Sequence, residues 1–194
     1  VPSSVVSERF STALVINNLA DRETKVRIVA REKLGTPQLT LEGIAIPSQG
    51  FVYFEDFYRA HNLSQATGPI EIESEQGIQL TALARIYSQQ STGGFFPGVP
   101  LDSPTRAVVI PHVLDTAAFR TNLGVNNLGT RAAEVNITLT GIDGVTLGRF
   151  SDLIPAGALV QWDNIQRLLL GSSVRTESEG WLRIESDQEI VAWV

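Results

Sequence analysis

The sequence predicts an all-β chain of two tandem antiparallel β-sandwich modules, each with one short helix, and three observations carry that prediction. The chain writes one stretch twice. Phe10-Ser11-Thr12-Ala13-Leu14-Val15-Ile16-Asn17-Asn18-Leu19 returns as Phe119-Arg120-Thr121-Asn122-Leu123-Gly124-Val125-Asn126-Asn127-Leu128, six of ten positions identical at an offset of 109. Pro2 and Pro111, Val26 and Val135, and Ile28 and Ile137 keep that offset, so the repeat reaches beyond the motif. Apolar residues alternate with polar ones along many short segments, the period of strands with one wet face. Gly, Pro, Asn and Asp punctuate those segments at close spacing, as they do in sandwiches.

In chain order, Phe10, Thr12, Leu14 and Ile16 alternate with Ser11, Ala13 and Val15, and Asn17-Asn18 ends that strand as a turn cap. From Thr24 to Lys33, Val26, Ile28 and Ala30 share one face, with Lys25, Arg27, Val29 and Arg31 on the other. Gln38 to Pro47 and Phe51 to Glu55 read as further strands. Between Glu55 and Leu63 the period changes, because Phe57, Ala60 and His61 fall at helical spacing, which predicts a helix of two turns. Ile70 to Glu73 and Ile78 to Tyr87 are strands again. Ser88 to Thr105 is rich in Gly, Pro, Ser and Thr and reads as a long connection. Arg106 to Val113 resumes as a strand.

The second copy repeats this plan, with strands at Phe119 to Asn126 and Glu134 to Thr140, then a hairpin turn at Asp143-Gly144. Ile154-Pro155 answers Ile46-Pro47 and Trp162 answers Phe54. Asp163 is the expected cap of a helix from Asn164 to Leu170, stopped by Gly171. Leu182 to Ser186 answers Ile70 to Ser74 at an offset of 112, and Ile190 to Val194 is the last strand. Carried forward, that offset aligns Val194 with Ala82. Modules are therefore expected at 1–109, with its Gly/Pro connection at 88–105, and at 110–194, the second reading as truncated. The start at Val1, inside a repeat and without Met, suggests a lost beginning, and the second copy's stop inside a strand suggests a section of a longer array. The elements fit a broadly immunoglobulin-like sandwich, with an up-and-down barrel as the next reading.

The order Phe-x-Thr-x-Leu-x-(Ile/Val)-Asn-Asn, then an alternating strand, Ile-Pro before an aromatic strand, a short helix and a Gly/Pro connection resembles the uncharacterised tandem repeats, about a hundred residues each, of large exported bacterial surface proteins. That resemblance covers nearly the whole chain. It implies a secreted or cell-surface location and a spacer or adhesive role, and it supplies no catalytic residues.

Composition narrows the chemistry. The formal charge is -6, and neither half has the basic excess that a phosphate backbone demands. Without cysteine there are no disulfides, thiolate metal sites or cysteine nucleophiles. No apolar run reaches the length of about 18 residues that a membrane-spanning helix needs. His61 and His112 are the only histidines, and neither lies beside a nucleophile motif, so the chain reads as a non-enzyme.

Weaker signals remain. Glu73 and Glu75, with Glu71, share one side of a strand, and Glu185 with Asp187 repeats the pattern. Such oxygens could hold calcium; a solvated strand face is the competing reading, and no cofactor is required. The row Lys25, Arg27, Arg31 and Lys33 could meet an acidic polysaccharide. Phe95 and Phe96, adjacent in the Gly/Pro connection, and Trp181 are the aromatic candidates for a surface glycan. The function expected is a non-enzymatic extracellular spacer or fibre element whose partners are neighbouring modules or subunits of the same protein. A carbohydrate-binding module is the alternative.

Overall fold

The computed structural model describes residues 1–88, 93–102, 105–171 and 177–194. It is all-β with several antiparallel sheets, and it divides into two compact units, Val1–Pro100 and Leu101–Val194.

The first unit holds β1 (Ser4–Val6), β2 (Phe10–Asn18), β3 (Thr24–Arg31), β4 (Pro37–Ile46), β5 (Phe51–Phe54), β6 (Ala66–Gly68), β7 (Ile70–Ser74), β8 (Leu80–Ser88) and β9 (Gly93–Pro97). They form a four-stranded sheet β5-β2-β8-β9, a three-stranded sheet β4-β3-β7 and a ribbon β1-β6. One core is filled from both larger sheets: Leu14, Ile16 and Ala84 from the first meet Val26, Ile28, Ala30 and Ile70 from the second. The alternation legible in β2 and β3 is the alternation of inward and outward side chains.

The second unit holds β10 (Thr105–Asp115), β11 (Leu123–Asn127), β12 (Ala133–Gly141), β13 (Thr146–Ile154), β14 (Leu159–Trp162), α1 (Ile165–Leu170) and β15 (Ser178–Trp193). β15 does the work of β6, β7 and β8 together. β10 pairs along it from Ser178 to Ile190, while its middle also pairs with β12 and its end with β11. Position 69 explains the difference: Pro69 has no N–H and interrupts the ladder between β6 and β7, whereas Trp181 at the aligned position restores it.

Two small devices recur in both units and explain the repeated motif. Thr12 Oγ1 accepts from Val5 N (2.8 Å) and donates to Val5 O, and Thr121 does the same with Leu114 (2.9 and 3.0 Å). Asn18 Nδ2 donates to the carbonyls of Arg22 (2.7 Å), Ile46 (3.3 Å) and Pro47 (3.0 Å) while its Oδ1 accepts from Ala20 N (2.9 Å). Asn127 makes the same four bonds, to Arg131, Ile154, Pro155 and Gly129, at 2.8, 3.0, 3.0 and 2.8 Å. The second Asn of each pair is therefore more than a turn cap. It ties the end of β2 to the end of β4, and the end of β11 to the end of β13, which is why Ile-Pro recurs with it.

Several expectations change. The expected boundary at 109/110 falls inside β10, whose pairing with β15 places it wholly in the second unit. The connection at 88–105 contains β9, paired with β8, while 89–92 and 103–104 lie outside the described residues. Among the described residues only the second unit has an α-helix. In the first, Arg59–His61 is a single 3-10 turn ended by Asn62 in the left-handed region. Phe57, Tyr58, His61 and Asn62 are weaker helix formers than the Leu168-Leu169-Leu170 run of α1, and Phe57 and Tyr58 are both buried. The cap of α1 is Asn164, whose side chain accepts from Arg167 N at 3.2 Å, and not Asp163. Finally, Ile16 pairs with Ala82 while Val125 pairs with Ala192, so the offset has fallen to 110. The turn after β7 is two residues longer than the bend at Asp187-Gln188-Glu189, and Val194 aligns with Ala84 rather than Ala82.

Tyr58 makes one consequence measurable. Ser4 Oγ spends its proton on Gly68 O at 2.6 Å, so the Tyr58 hydroxyl donates to Ser4 Oγ and anchors the β1-β6 ribbon. Burial pushes the phenol up to about 12. The neutral form is thus favoured on folding: its contribution is complete below pH ~10 and is lost as pH rises to ~12, about 3 kcal/mol in all. Urea titrations across that window should show the first unit weakening steeply, and Tyr58→Phe should flatten the slope. An unchanged slope in the variant would remove Tyr58 as the cause.

Candidate binding face

The sheet β5-β2-β8-β9 turns Leu14, Ile16, Val52, Phe54, Ala82, Ala84 and Phe96 toward the core. The period of two therefore sends their neighbours outward. The register aligns them in rows: Tyr53, Val15, Leu83 and Pro97 lie side by side across all four strands. Phe51, Asn17 and Thr81 form the next row, and Ala13, Arg85 and Phe95 the row on the other side, followed by Ser11 and Tyr87. Phe51, Tyr53 and Phe95 are 64%, 56% and 64% exposed, values that mark them as a surface rather than core. The face spans three inter-strand spacings, about 14 Å.

Arg85 is the one charged side chain in these rows. Its guanidinium carbon sits 5.6 Å from the Tyr87 ring centre and 5.7 Å from that of Phe95, within the range of cation–π attraction. Tyr87 is fixed by its hydroxyl, which donates to Glu55 O at 3.0 Å. Asn17 Nδ2 donates to Thr81 Oγ1 at 3.3 Å and gives the opposite end of the face a neutral polar couple.

Of the aromatic candidates read from sequence, only Phe95 lies on this face. Phe96, its neighbour on β9, points the other way and packs on the core. Trp181 is half-buried in β15 of the second unit, opposite Thr140. Phe51, Tyr53, Tyr87 and Arg85 were missed as site residues. Their odd numbering, shared with Val15 and Leu83, was the available signal.

The carboxylates stand differently from the expected cluster. Glu71 meets Arg31 through two hydrogen bonds, 2.7 and 2.8 Å, which push the guanidinium's pKa up. Arg27 lies 2.8 Å from Glu42 and 3.6 Å from Glu73. Glu185 pairs with Arg183 at 2.7 Å, and Asp187 lies 3.4 Å from Arg131 while accepting from Glu134 N at 2.9 Å. Glu75 is beyond the end of β7. Among the described residues no three acidic or histidine side chains converge as a metal site would require. The basic row at Lys25, Arg27 and Arg31 faces this acidic one, so Arg27 and Arg31 already have partners. Both histidines are engaged too: His61 Nδ1 lies 2.6 Å from Phe57 O, and His112 Nε2 lies 3.0 Å from Glu179.

The second unit fills the equivalent face differently. Gly124 takes the place of Val15, and the Trp193 ring lies so close that a Cβ at Gly124 would come within 2.1 Å of it. Trp193 Nε1 donates to Asn126 Oδ1 at 3.3 Å. A concavity of about 790 Å³ elsewhere in this unit is lined by Asp115, Phe119, Arg120, Asn164, Arg167 and Leu168. Its Asp115 accepts from Asn164 Nδ2 (2.9 Å) and Arg167 Nε (3.2 Å). In the first unit Asp56 aligns with Asn164 and pairs with Arg59, aligned with Arg167, at 2.7 Å. The carboxylate has changed element while the ion pair is kept, which marks this corner as structural.

No family model matches the chain, and no curated protein matches it. Among solved structures it is similar to the Anabaena sensory rhodopsin transducer, with 18% identity and a TM-score of 0.39 over 47% of this chain and 95% of that one.

Proposed function

We propose that this chain is a non-catalytic, extracellular adhesive and spacing module of a bacterial surface protein, two immunoglobulin-like sandwiches in tandem, with the aromatic face of the first unit as its contact surface. The observation that carries the reading is the row Tyr53-Val15-Leu83-Pro97 with Phe51, Tyr87 and Phe95 beside it. Surface aromatics and arginine are the residues that anchor binding interfaces. The two units share what holds them together, Thr12 with Thr121 and Asn18 with Asn127, and differ in what they show to solvent. That is the pattern of a scaffold repeated for spacing and decorated for contact. The reading needs no cofactor, and neighbouring modules or subunits remain its natural partners.

The test is retention of the protein on a panel of immobilised polysaccharides and extracellular matrix proteins. Phe51→Ala with Phe95→Ala should weaken retention about tenfold or more, with an unchanged thermal midpoint because both rings are exposed. Retention indifferent to the double substitution, or absent from every surface, would sink the proposal. Tryptophan fluorescence is the wrong readout, since Trp162, Trp181 and Trp193 all lie in the second unit.

A further inference from the structure

We infer that the ligand of this face is an acidic oligosaccharide, one carrying a carboxylate on a sugar ring, with Arg85 reading the carboxylate. The inference rests on the adhesive reading of the same face and adds the chemical class of what it binds.

Three features of the face support that class. First, Arg85 has no carboxylate partner among the described residues, as is also true of Arg9, Arg22, Arg106, Arg120 and Arg149 but not of Arg27, Arg31, Arg59, Arg131, Arg167 and Arg183, and of the unpaired ones it alone is held between two aromatic rings in the described contacts. Its contacts with the Tyr87 and Phe95 rings hold the guanidinium without using its N–H donors in the described bonds, so the planar fork is available to a carboxylate in two parallel bonds. Second, no Asp or Glu shares the rows of the face, and Asp56, which accepts from Ser11 at its end, is already paired with Arg59. Glu55, the exposed residue after β5 whose carbonyl accepts from Tyr87, borders these rows, so an anion approaching Arg85 meets attraction set against one neighbouring carboxylate. Third, the remainder of the surface suits sugar rings. Flat aromatic and apolar side chains, Tyr53, Val15, Leu83 and Phe95, can take the C–H faces, and the Asn17-Thr81 couple can exchange hydrogen bonds with hydroxyls at the far end. A face about 14 Å wide accommodates several sugar units rather than one.

The basic row on β3 would have been the obvious place for the same chemistry, but Arg27 and Arg31 are occupied by Glu42, Glu71 and Glu73.

The experiment compares trigalacturonic acid with its fully methyl-esterified form by calorimetric titration into the 194-residue chain. The ester keeps the rings and hydroxyls and removes the charge. The acid is expected to bind at least about tenfold more tightly, the difference one charge-assisted bidentate contact makes. Arg85→Gln should abolish the discrimination, Arg85→Lys should keep part of it, and Phe51→Ala, which leaves both ring contacts of Arg85 in place, should weaken acid and ester alike. Thermal midpoints within error of the parent chain confirm that the variants fold. Equal affinity for acid and ester, or discrimination that survives Arg85→Gln, would overturn the inference while leaving the adhesive face intact. No binding of either sugar would overturn it as well; protein matrices retained through Phe51 and Phe95 would then identify a protein partner and preserve the broader reading.

Discussion

Replacing Asn127 by alanine is expected to destabilise the second unit by about 3–5 kcal/mol, and Asn18→Ala to do the same to the first. Each side chain is almost completely buried, 1% exposed in both cases, and makes four hydrogen bonds to backbone. A typical bond contributes about 0.5–1.5 kcal/mol net, and a buried backbone group left without its partner costs about 1–3 kcal/mol. Alanine removes all four bonds at once and leaves a space lined by carbonyls. Aspartate is the sharper probe because it is nearly isosteric. It keeps the acceptor for Gly129 N but turns the amide that serves Arg131, Ile154 and Pro155 into an oxygen facing three oxygens. Asn127→Asp should therefore be no milder than Asn127→Ala at neutral pH. Urea unfolding of the parent and the three variants measures this. A loss below about 1 kcal/mol, at the level of a single net hydrogen bond, would mean that water substitutes for the amide and that the motif is not the clasp between strand ends described above.

How much of this was legible follows from how far each feature extends along the chain. β2, β3 and β12 were readable because each runs for eight or nine residues and sets core residues at every second position, Leu14 and Ile16, Val26, Ile28 and Ala30, and Val135, Ile137 and Leu139. β1 and β6 are three residues long and make sense only as partners of each other, Ser4 opposite Gly68. β9 was hidden because its Gly93-Gly94 and Pro97 are turn residues by composition, and only pairing with β8 makes it a strand. The clasp was half legible: Asn-Asn and Ile-Pro were both seen to repeat, but nothing local says that one binds the other. The basic and acidic rows were likewise seen separately, since a one-residue change of register would have parted Arg31 from Glu71. The same limit hid the aromatic face. Phe51 and Tyr53 read as ordinary strand residues, and their neighbourhood with Arg85 and Phe95 exists only across four strands. Parity along each strand was in the sequence; the order of strands was not.

Gly68→Ala and Gly180→Ala should each destabilise their own unit by about 3 kcal/mol or more, beyond the usual overpacking range at its lower end. The two glycines align in the repeat, and neither is needed for a left-handed backbone, since neither has a positive φ. The constraint is proximity. A Cβ on Gly68 would lie 2.0 Å from Arg31 O, and one on Gly180 would lie 2.3 Å from Thr140 O, with Arg31 and Thr140 aligned as well. Here the chain that leads from the β1-β6 ribbon, or from the start of β15, presses directly on the last turn of pleat in β3 or β12. The obstructing atoms are backbone carbonyl oxygens, which cannot rotate aside as a long side chain would, so relief requires parting strands and losing ladder bonds. Gly43 supplies the contrast. It has φ +68° at the bulge where β4 slips register against β3, and nothing lies within 4 Å of its missing Cβ. Alanine there should cost only the left-handed penalty, about 1–2 kcal/mol. The expected order in urea is therefore Gly68→Ala and Gly180→Ala well below Gly43→Ala, and equal losses at all three would show that backbone entropy, not the close approach, is what glycine supplies at this corner.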